Sequence, residues 1–310
     1  MIPDFEVTIL GNTSSIPVHG RNHTSQVIRF GQELLLLDCG EGTQMQLRKY
    51  KVKTSRISNI FISHLHGDHY LGLIGLLSSY NLAKRTKALT IYGPQGLDDI
   101  ITTNFRWSKT KLSYPLNFVQ TDPEGFNLLF EENLFSVYSF PLKHRLPTTG
   151  FLIKEKPGLR NLIKSKLLEN PISIEAIHSL RKGEDFLEKD GKLIKVEEYA
   201  YPLPSLRKYA FCSDTIFDPS ISSYVKNVDL LYHESTFLTA DKARAAETFH
   251  STGAQAAEIA SISNAKELLL GHFSSRYVIL DEMLAEAAAV FPNSIISEEG
   301  QTYPITAVHE

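Results

Sequence analysis

Cysteine is scarce in this chain, with only Cys39 and Cys212 among 310 residues. Each follows an apolar stretch, so both read as buried thiols in a reducing compartment, and a disulfide framework is not expected. No apolar run reaches the roughly eighteen residues that a membrane span requires. Met1-Ile2-Pro3-Asp4-Phe5 carries neither a basic segment nor an apolar one, so neither a secretion signal nor a membrane anchor is expected and the cytoplasm is the expected location. An excess of one charge is also missing. With 32 Lys and Arg against 35 Asp and Glu, the net charge is -3. Nucleic acid would feel no global attraction, and any affinity for RNA must come from local patches. Solenoid repeats and low-complexity tracts are absent too.

What the chain does have is 42% hydrophobic content, enough for a large core, with no shift in composition that would mark two independent folding units. One domain over residues 1–310 is expected. Apolar segments of strand length recur at residues 5–10, 25–30, 33–38, 59–62, 89–92, 116–119, 135–140, 151–153, 209–212, 229–232 and 267–270. Helical patterns fall near residues 45–50, 71–82 and 97–104. Strands thus alternate with helices, and metal-binding residue types recur where strands end, which predicts an α/β architecture with its ligands along one edge of the sheets. Residues 154–204 interrupt that rhythm and read as a projecting insertion. Its start, residues 154–166, has five basic residues against one acid and apolar residues at helical spacing, which suits either a solvated helix or an RNA contact.

The densest chemistry is Ser63-His64-Leu65-His66-Gly67-Asp68-His69, directly after the apolar run Asn59-Ile60-Phe61-Ile62. Three imidazoles and a carboxylate on a loop leaving a buried strand form the N and O donor set that divalent zinc takes. One metal would leave donors over, and two would use them all.

That spacing, His64-x-His66-x-Asp68-His69, resembles the signature of the metallo-β-lactamase superfamily. Three further blocks are similar to those of the ribonuclease Z family, endonucleases that remove 3′ trailers from precursor tRNA. They are Asp38-Cys39-Gly40-Glu41-Gly42-Thr43-Gln44, His233-Glu234-Ser235-Thr236 with Ser in place of the usual Ala, and His250-Ser251-Thr252 at a helix start that Ser251 can cap. The likeness runs from the first strand to about Asn293. It implies an αββα sandwich of two mixed sheets flanked by helices, with an arm inserted at 154–204.

The resemblance also implies roles. His64, His66 and His144 would hold one zinc, Asp68, His69 and His272 a second, and Asp214 would bridge the two. Asp68 would double as proton acceptor for the attacking water. His250 would protonate the leaving 3′ oxygen, with a nearby carboxylate, Glu234, to tune it, although His233 and Glu234 can equally orient a ligand or close a loop. Family members are homodimers in which one subunit's arm serves the other's active site, so precursor tRNA and a second copy are the expected partners. A second basic run, residues 48–56, lies close in sequence to the metal loop and could receive the acceptor stem.

Two departures bear on the likeness. Cys212-Ser213-Asp214-Thr215 has a serine where the family has glycine, and Asn170-Pro171-Ile172-Ser173 stands where the family's arm carries a Gly-Pro pair. A metal-dependent phosphodiesterase acting on other RNA or on small phosphodiesters is the alternative activity, and a non-catalytic RNA-binding scaffold is the third reading. His19, His23, His178 and His309 have no context that assigns them.

Overall fold

The computed structural model describes residues 4–203 and 205–306. His309, Pro204 at the end of the expected insertion, and Met1, Ile2 and Pro3 lie outside the described residues. In chain order the first elements are β1 (Phe5–Gly11), β2 (Ser25–Phe30), β3 (Glu33–Leu37), α1 (Thr43–Lys49), β4 (Ile57–Phe61), α2 (Gly67–Tyr70), α3 (Gly72–Leu82), β5 (Leu89–Gly93), α4 (Leu97–Trp107) and β6 (Leu116–Gln120). They are followed by β7 (Asn127–Glu131), β8 (Phe135–Leu142), β9 (Thr148–Glu155), α5 (Lys164–Glu169), α6 (Ile174–Lys182), β10 (Phe186–Leu187), β11 (Leu193–Ile194) and α7 (Val196–Tyr199). The last are β12 (Lys208–Cys212), β13 (Leu230–Glu234), α8 (Lys242–Thr248), α9 (Gly253–Ile262), β14 (Glu267–Gly271), α10 (Asp281–Val290), β15 (Ser294–Ile296) and β16 (Thr302–Pro304).

Two mixed sheets result, in the orders β16-β1-β2-β3-β4-β5-β6 and β15-β14-β13-β12-β9-β8-β7. Each has a run of parallel strands, β3 to β6 in the first and β12 to β15 in the second. Parallel strands buried on both faces read as continuous apolar runs, which is why Leu34 to Leu37 and Leu268 to Leu270 show no alternation. The two faces nonetheless separate by residue. Ile60 and Ile62 join Leu73, Leu76 and Leu77 of α3 in a helix-side core, and Ala210 and Cys212 join Ala256, Ala257 and Ala260 of α9 in another. The intervening aromatics meet between the sheets. Phe61 stacks on Tyr92 at 4.6 Å and meets Phe151 edge-on at 5.6 Å, and Phe211 stacks on Tyr232 at 5.1 Å. These rings supply large buried area plus about 0.5–1.5 kcal/mol of ring contact per pair.

The parallel runs place their carboxyl ends together, and that is where the loops carrying Asp38, Ser63, Asp214, Glu234 and His272 begin. Close backbone packing fixes the first of these loops. Gly72 at the start of α3 donates its N–H to the Cys39 carbonyl at 2.9 Å, and Cys39 N–H donates to the His69 carbonyl at 2.7 Å. Both cysteines are buried and unbridged, and burial pushes the Cys39 thiol up to about 12.

The structure departs from several sequence expectations. Helix α2 over Gly67–Tyr70 was not expected, whereas the helix expected over residues 71–82 is present as α3. Strands β7, β15 and β16 and helix α10 were not expected, because each of these strands is short and half-exposed, or solvated on one edge. The cap of α9 is Thr252, not Ser251. The Thr252 hydroxyl accepts from Gln255 N–H, and Gln255 reciprocates to the Thr252 N–H in a capping box. Ser251 instead donates to the Thr215 carbonyl at 2.8 Å. The helical spacing over residues 154–166 is also not realised. β9 runs through Glu155, and helix begins only at Lys164.

The chain divides into two compact units. Residues up to 131, 136–154 and 207–306 form the first, and Glu132–Phe135 with Glu155–Leu206 belong to the second. The second has a small core of its own, in which Leu180, Ile194, Val196 and Tyr199 pack with Leu162, Leu167 and Ile172. No helix among the described residues is long and apolar enough to cross a membrane.

A Cβ added at Gly72 would lie 2.1 Å from the Gly40 carbonyl oxygen, so the helix or the loop must move. Gly72→Ala is therefore expected to lower unfolding free energy by about 1–3 kcal/mol, read as a drop in the urea midpoint with an unchanged slope.

Candidate metal centre

The site is built outward from Asp38, the first residue past β3. Its side chain is completely buried, and its backbone sits at φ 52, unusual for a residue with a Cβ. One carboxylate oxygen accepts the Ser63 N–H at 2.8 Å, and the other accepts the Ser63 hydroxyl at 3.0 Å and the His69 Nδ1–H at 2.7 Å. A carboxylate can only accept, so the proton of His69 is fixed on Nδ1 and the lone pair of Nε2 faces the cleft.

The same logic repeats around the site. Ser63, having given its proton to Asp38, accepts from His64 Nδ1 at 3.0 Å. His144 Nδ1 donates to the Phe249 carbonyl at 2.9 Å. Thr236 gives its proton to Glu234 at 2.6 Å and accepts from His272 Nδ1 at 3.0 Å. Each of these imidazoles therefore turns an unprotonated Nε2 inward. His66 differs in presenting Nδ1, 3.0 Å from His64 Nε2 and 3.1 Å from His144 Nε2.

Asp214, on the loop after β12, stands between two groups of donors. Its Oδ2 lies 3.6 Å from His64 Nε2 and 3.8 Å from His144 Nε2, while its Oδ1 lies 3.3 Å from His69 Nε2 and 3.1 Å from His272 Nε2. Asp68 Oδ2 closes the second group, 3.5 Å from both His69 Nε2 and His272 Nε2. Donor atoms of His64, His66, His144 and Asp214 thus converge on one point, and those of Asp68, His69 and His272 on another.

The residues fit a divalent ion at each point. The Nε2 atoms of His69 and His272 are buried and have no hydrogen-bond partner. Buried polar atoms left bare are costly, and a cation satisfies them. Electrostatics point the same way. Burial, joined by neighbouring imidazoles, holds His64 well below the usual histidine range, and burial also lowers His66 and His144, keeping all three in the neutral, ligating form. Burial would raise Asp68, yet the positive potential of His69 and the nearness of His272 pull its carboxyl far below the usual range. Burial likewise opposes the charge on Asp214, and His272, His69 and His64 overcome it. His69 is driven the other way: burial disfavours its charge, but Asp214, Asp68 and Asp38 raise it well above the ordinary value. Three acids around one imidazole make a point where a second positive charge is stabilised, and a dication fills that role in place of the proton.

A further buried ensemble adjoins the two groups of donors. Glu234 is fully buried and accepts from Thr215 N–H at 3.0 Å, Thr236 N–H at 3.1 Å and His250 Nδ1–H at 2.8 Å. Burial lowers His250, but the charge and hydrogen bond of Glu234, then Asp214, raise it to about 9. His250 stays partly exposed and lines a cleft of about 550 Å³ with Ser15, His66, Asp68, His144 and Asp214.

All seven sequence candidates for metal binding, together with Glu234 and His250, are brought together here. His233 is not. It is buried, donating Nδ1–H to the Glu234 carbonyl at 2.7 Å. His19 bonds the Ser275 carbonyl, and His178 lies on α6 in the second unit. His23 is buried beside the cleft with Nε2 3.1 Å from the Ser15 carbonyl. Sequence reading named Asp38 only as part of a block and missed its role. The signal was available, since Asp38 follows a buried strand just as Ser63 does. The Ser15 N–H bond to Asp68, at 2.8 Å, had no such signal because it depends on a turn with φ 53.

Known proteins share much of this sequence and fold. A family model described as anti-Pycsar protein Apyc1 matches residues 5–127. The chain is 41% identical over 295 residues to ribonuclease Z of Bacteroides fragilis, covering 95% of this chain and 97% of that one. Among solved structures it resembles the short form of human tRNase Z, with TM-score 0.70 and 30% identity over 97% of this chain and 99% of that one. It also shares the fold of the metallo-β-lactamase fold protein YhfI from Bacillus subtilis, with TM-score 0.67 and 19% identity over 97% and 99% of the two chains.

The Asp38 arrangement yields a test. In Asp38→Asn the carboxamide oxygen still accepts from Ser63, but its NH2 faces His69 Nδ1 and moves the imidazole proton to Nε2. Divalent-metal affinity is expected to fall about 10–100-fold, measured by chelator competition, with little change in the far-UV spectrum.

Proposed function

The chain belongs to the ribonuclease Z family, and from that premise we propose how its own residues carry out the reaction. It is a metal-dependent endoribonuclease of tRNA 3′ processing: a phosphodiester of precursor tRNA is hydrolysed, the trailer leaves with the phosphate, and the tRNA keeps a 3′ hydroxyl. The observation that carries the reading is the divided placement of Asp214, whose two oxygens each face a separate group of imidazoles.

The metals are two zinc ions per subunit. His64, His66 and His144 would hold one and Asp68, His69 and His272 the other, with one oxygen of Asp214 facing each group. When bound, such a pair would lower the pKa of water in the site and offset charge on the phosphate. The chain's residues do the rest. Asp68, fixed by the Ser15 N–H, takes the proton of the attacking water. His250 faces the cleft with its remaining nitrogen and gives a proton to the departing 3′ oxygen, an alkoxide in need of one. Glu234, locked by Thr215 and Thr236, keeps that imidazole oriented and charged. Ser251, bonded to the Thr215 carbonyl, ties the His250 loop to the Asp214 loop.

Residues 154–204 serve as the tRNA-gripping arm. Lys156, Arg160, Lys164 and Lys166 supply phosphate contacts, which recognise shape and charge rather than bases. The enzyme works as a homodimer in the cytoplasm, and the arm of one subunit serves the other.

Three outcomes check this reading. Purified protein with about two zinc per chain is expected to make one discrete cut in a trailer-bearing precursor tRNA, and Asp68→Ala to abolish it with the fold intact. An uncut precursor in the presence of bound metal overturns the substrate assignment. His250→Ala is expected to lose about 10²–10⁴-fold on the precursor but far less on a phosphodiester with a nitrophenolate leaving group, which departs without a proton. Replacing residues 157–203 by a short Gly-Ser bridge removes the small core of the second unit and leaves the other cores intact. Precursor cleavage should be lost while the small ester is still hydrolysed; equal loss on both substrates would deny the arm a role in tRNA selection.

A further inference from the structure

A second cavity, of about 230 Å³, opens beside the metal loop. Its place follows from the topology. Gly93 and Gln120 end β5 and β6, Leu65 follows β4, and ligands of open parallel sheets bind at such carboxyl ends. Leu65 sits in the chain between His64 and His66, and Leu146 comes two residues after His144. These two leucines form apolar walls with Pro94 and Pro147. Gln95 and Gln120 add exposed carboxamides. No charged side chain lines the space.

Thr149 supplies the second observation. It lines the cavity, is only 1% exposed, and its hydroxyl has no hydrogen-bond partner. Its N–H donates to the Ser63 carbonyl at 3.1 Å, so the cavity wall is tied to the residue before His64. A bare buried hydroxyl is a cost in the free protein that a polar ligand atom removes.

We propose that this cavity receives one unstacked nucleobase of the RNA, from a nucleotide adjoining the phosphate that is cut. The proposal rests on the ribonuclease reading given above. The chemistry selects a neutral heterocycle. A phosphate or carboxylate would meet no cation, and a purely apolar group would leave Thr149 unsatisfied. Leucine and proline walls suit the faces of a planar ring. Carboxamides match a base edge, since each offers a donor and an acceptor side by side. Bases of single-stranded RNA are splayed out and read in this way, by stacking plus edge hydrogen bonds. A base held here would fix the sugar-phosphate register at the neighbouring metal loop, so the cavity would choose which phosphate is presented.

The test uses the full-length protein as purified, with ligand-observed NMR titration of the four nucleoside 5′-monophosphates and of ribose 5-phosphate. At least one nucleotide should bind about tenfold more tightly than ribose 5-phosphate. Leu146→Trp, which fills the cavity, should bring it down to the sugar-phosphate level. Thr149→Val keeps the shape and removes only the unpartnered hydroxyl, so it should leave the melting temperature within a degree or two and weaken the preferred nucleotide about three- to tenfold. Equal binding of all five ligands overturns the proposal, and so does a base preference that survives both substitutions. On precursor RNA, an abasic nucleotide at one position flanking the scissile phosphate should raise KM in the wild type and add nothing in Leu146→Trp; an abasic penalty unchanged by that substitution overturns it as well. Cleavage of the unmodified precursor reports on the ribonuclease reading alone, whereas nucleotide binding reports on the cavity without any cut.

Discussion

A carboxylate closed off from water, Asp38, decides which nitrogen of His69 carries a proton, and the remainder of the site depends on decisions of this type. Five imidazoles stand within a few ångströms of one another, and each could present the wrong tautomer. Asp38, Ser63, the Phe249 carbonyl and Thr236 remove that freedom by occupying the outer nitrogens of four of them. The inner nitrogens then face inward as bare lone pairs, an arrangement that repels itself until positive charge is present. Metal binding and the hydrogen bonds behind it are one electrostatic construction.

The fold makes that construction possible by a repeated device. Each sheet contains a parallel run whose strands are buried on both faces, and each run ends in loops at the same side of the sandwich. The first sheet contributes Asp38, His64, His66, Asp68 and His69, and the second contributes His144, Asp214, Glu234 and His272. Aromatic contacts between the sheets, Phe61 on Phe151 at 5.6 Å among them, hold the two contributions in register. Packing far from the chemistry therefore sets distances within it.

Most of this was legible beforehand, and the reasons are physical. Long apolar strands such as residues 33–37 and 267–271 announce themselves because burial on both faces permits few other residues. The dense run from His64 to His69 announces itself because nothing but a metal site concentrates donors so tightly below a buried strand. Elements at the sheet edges were less visible. β7, β15 and β16 bury little and carry no periodic signal. The capping role given to Ser251 belongs to its neighbour Thr252, since hydroxyls one residue apart are indistinguishable until the backbone fixes which one is the last extended residue before the helix. The helical spacing at the start of the inserted segment gives no helix before Lys164, because β9 takes Lys154 and Glu155 and the helix-breaking pair Pro157-Gly158 follows.

The divided origin of the site has a further effect. Four of the seven metal-facing residues come from the first quarter of the chain and three from its later parts, and Asp214, which joins the two groups, arrives only with β12. A chain still emerging from the ribosome, or one whose halves have not docked, holds scattered imidazoles and no paired centre. Hydrolytic power is thereby withheld until folding is finished, a useful latency in a nuclease born among the RNAs of the translation machinery.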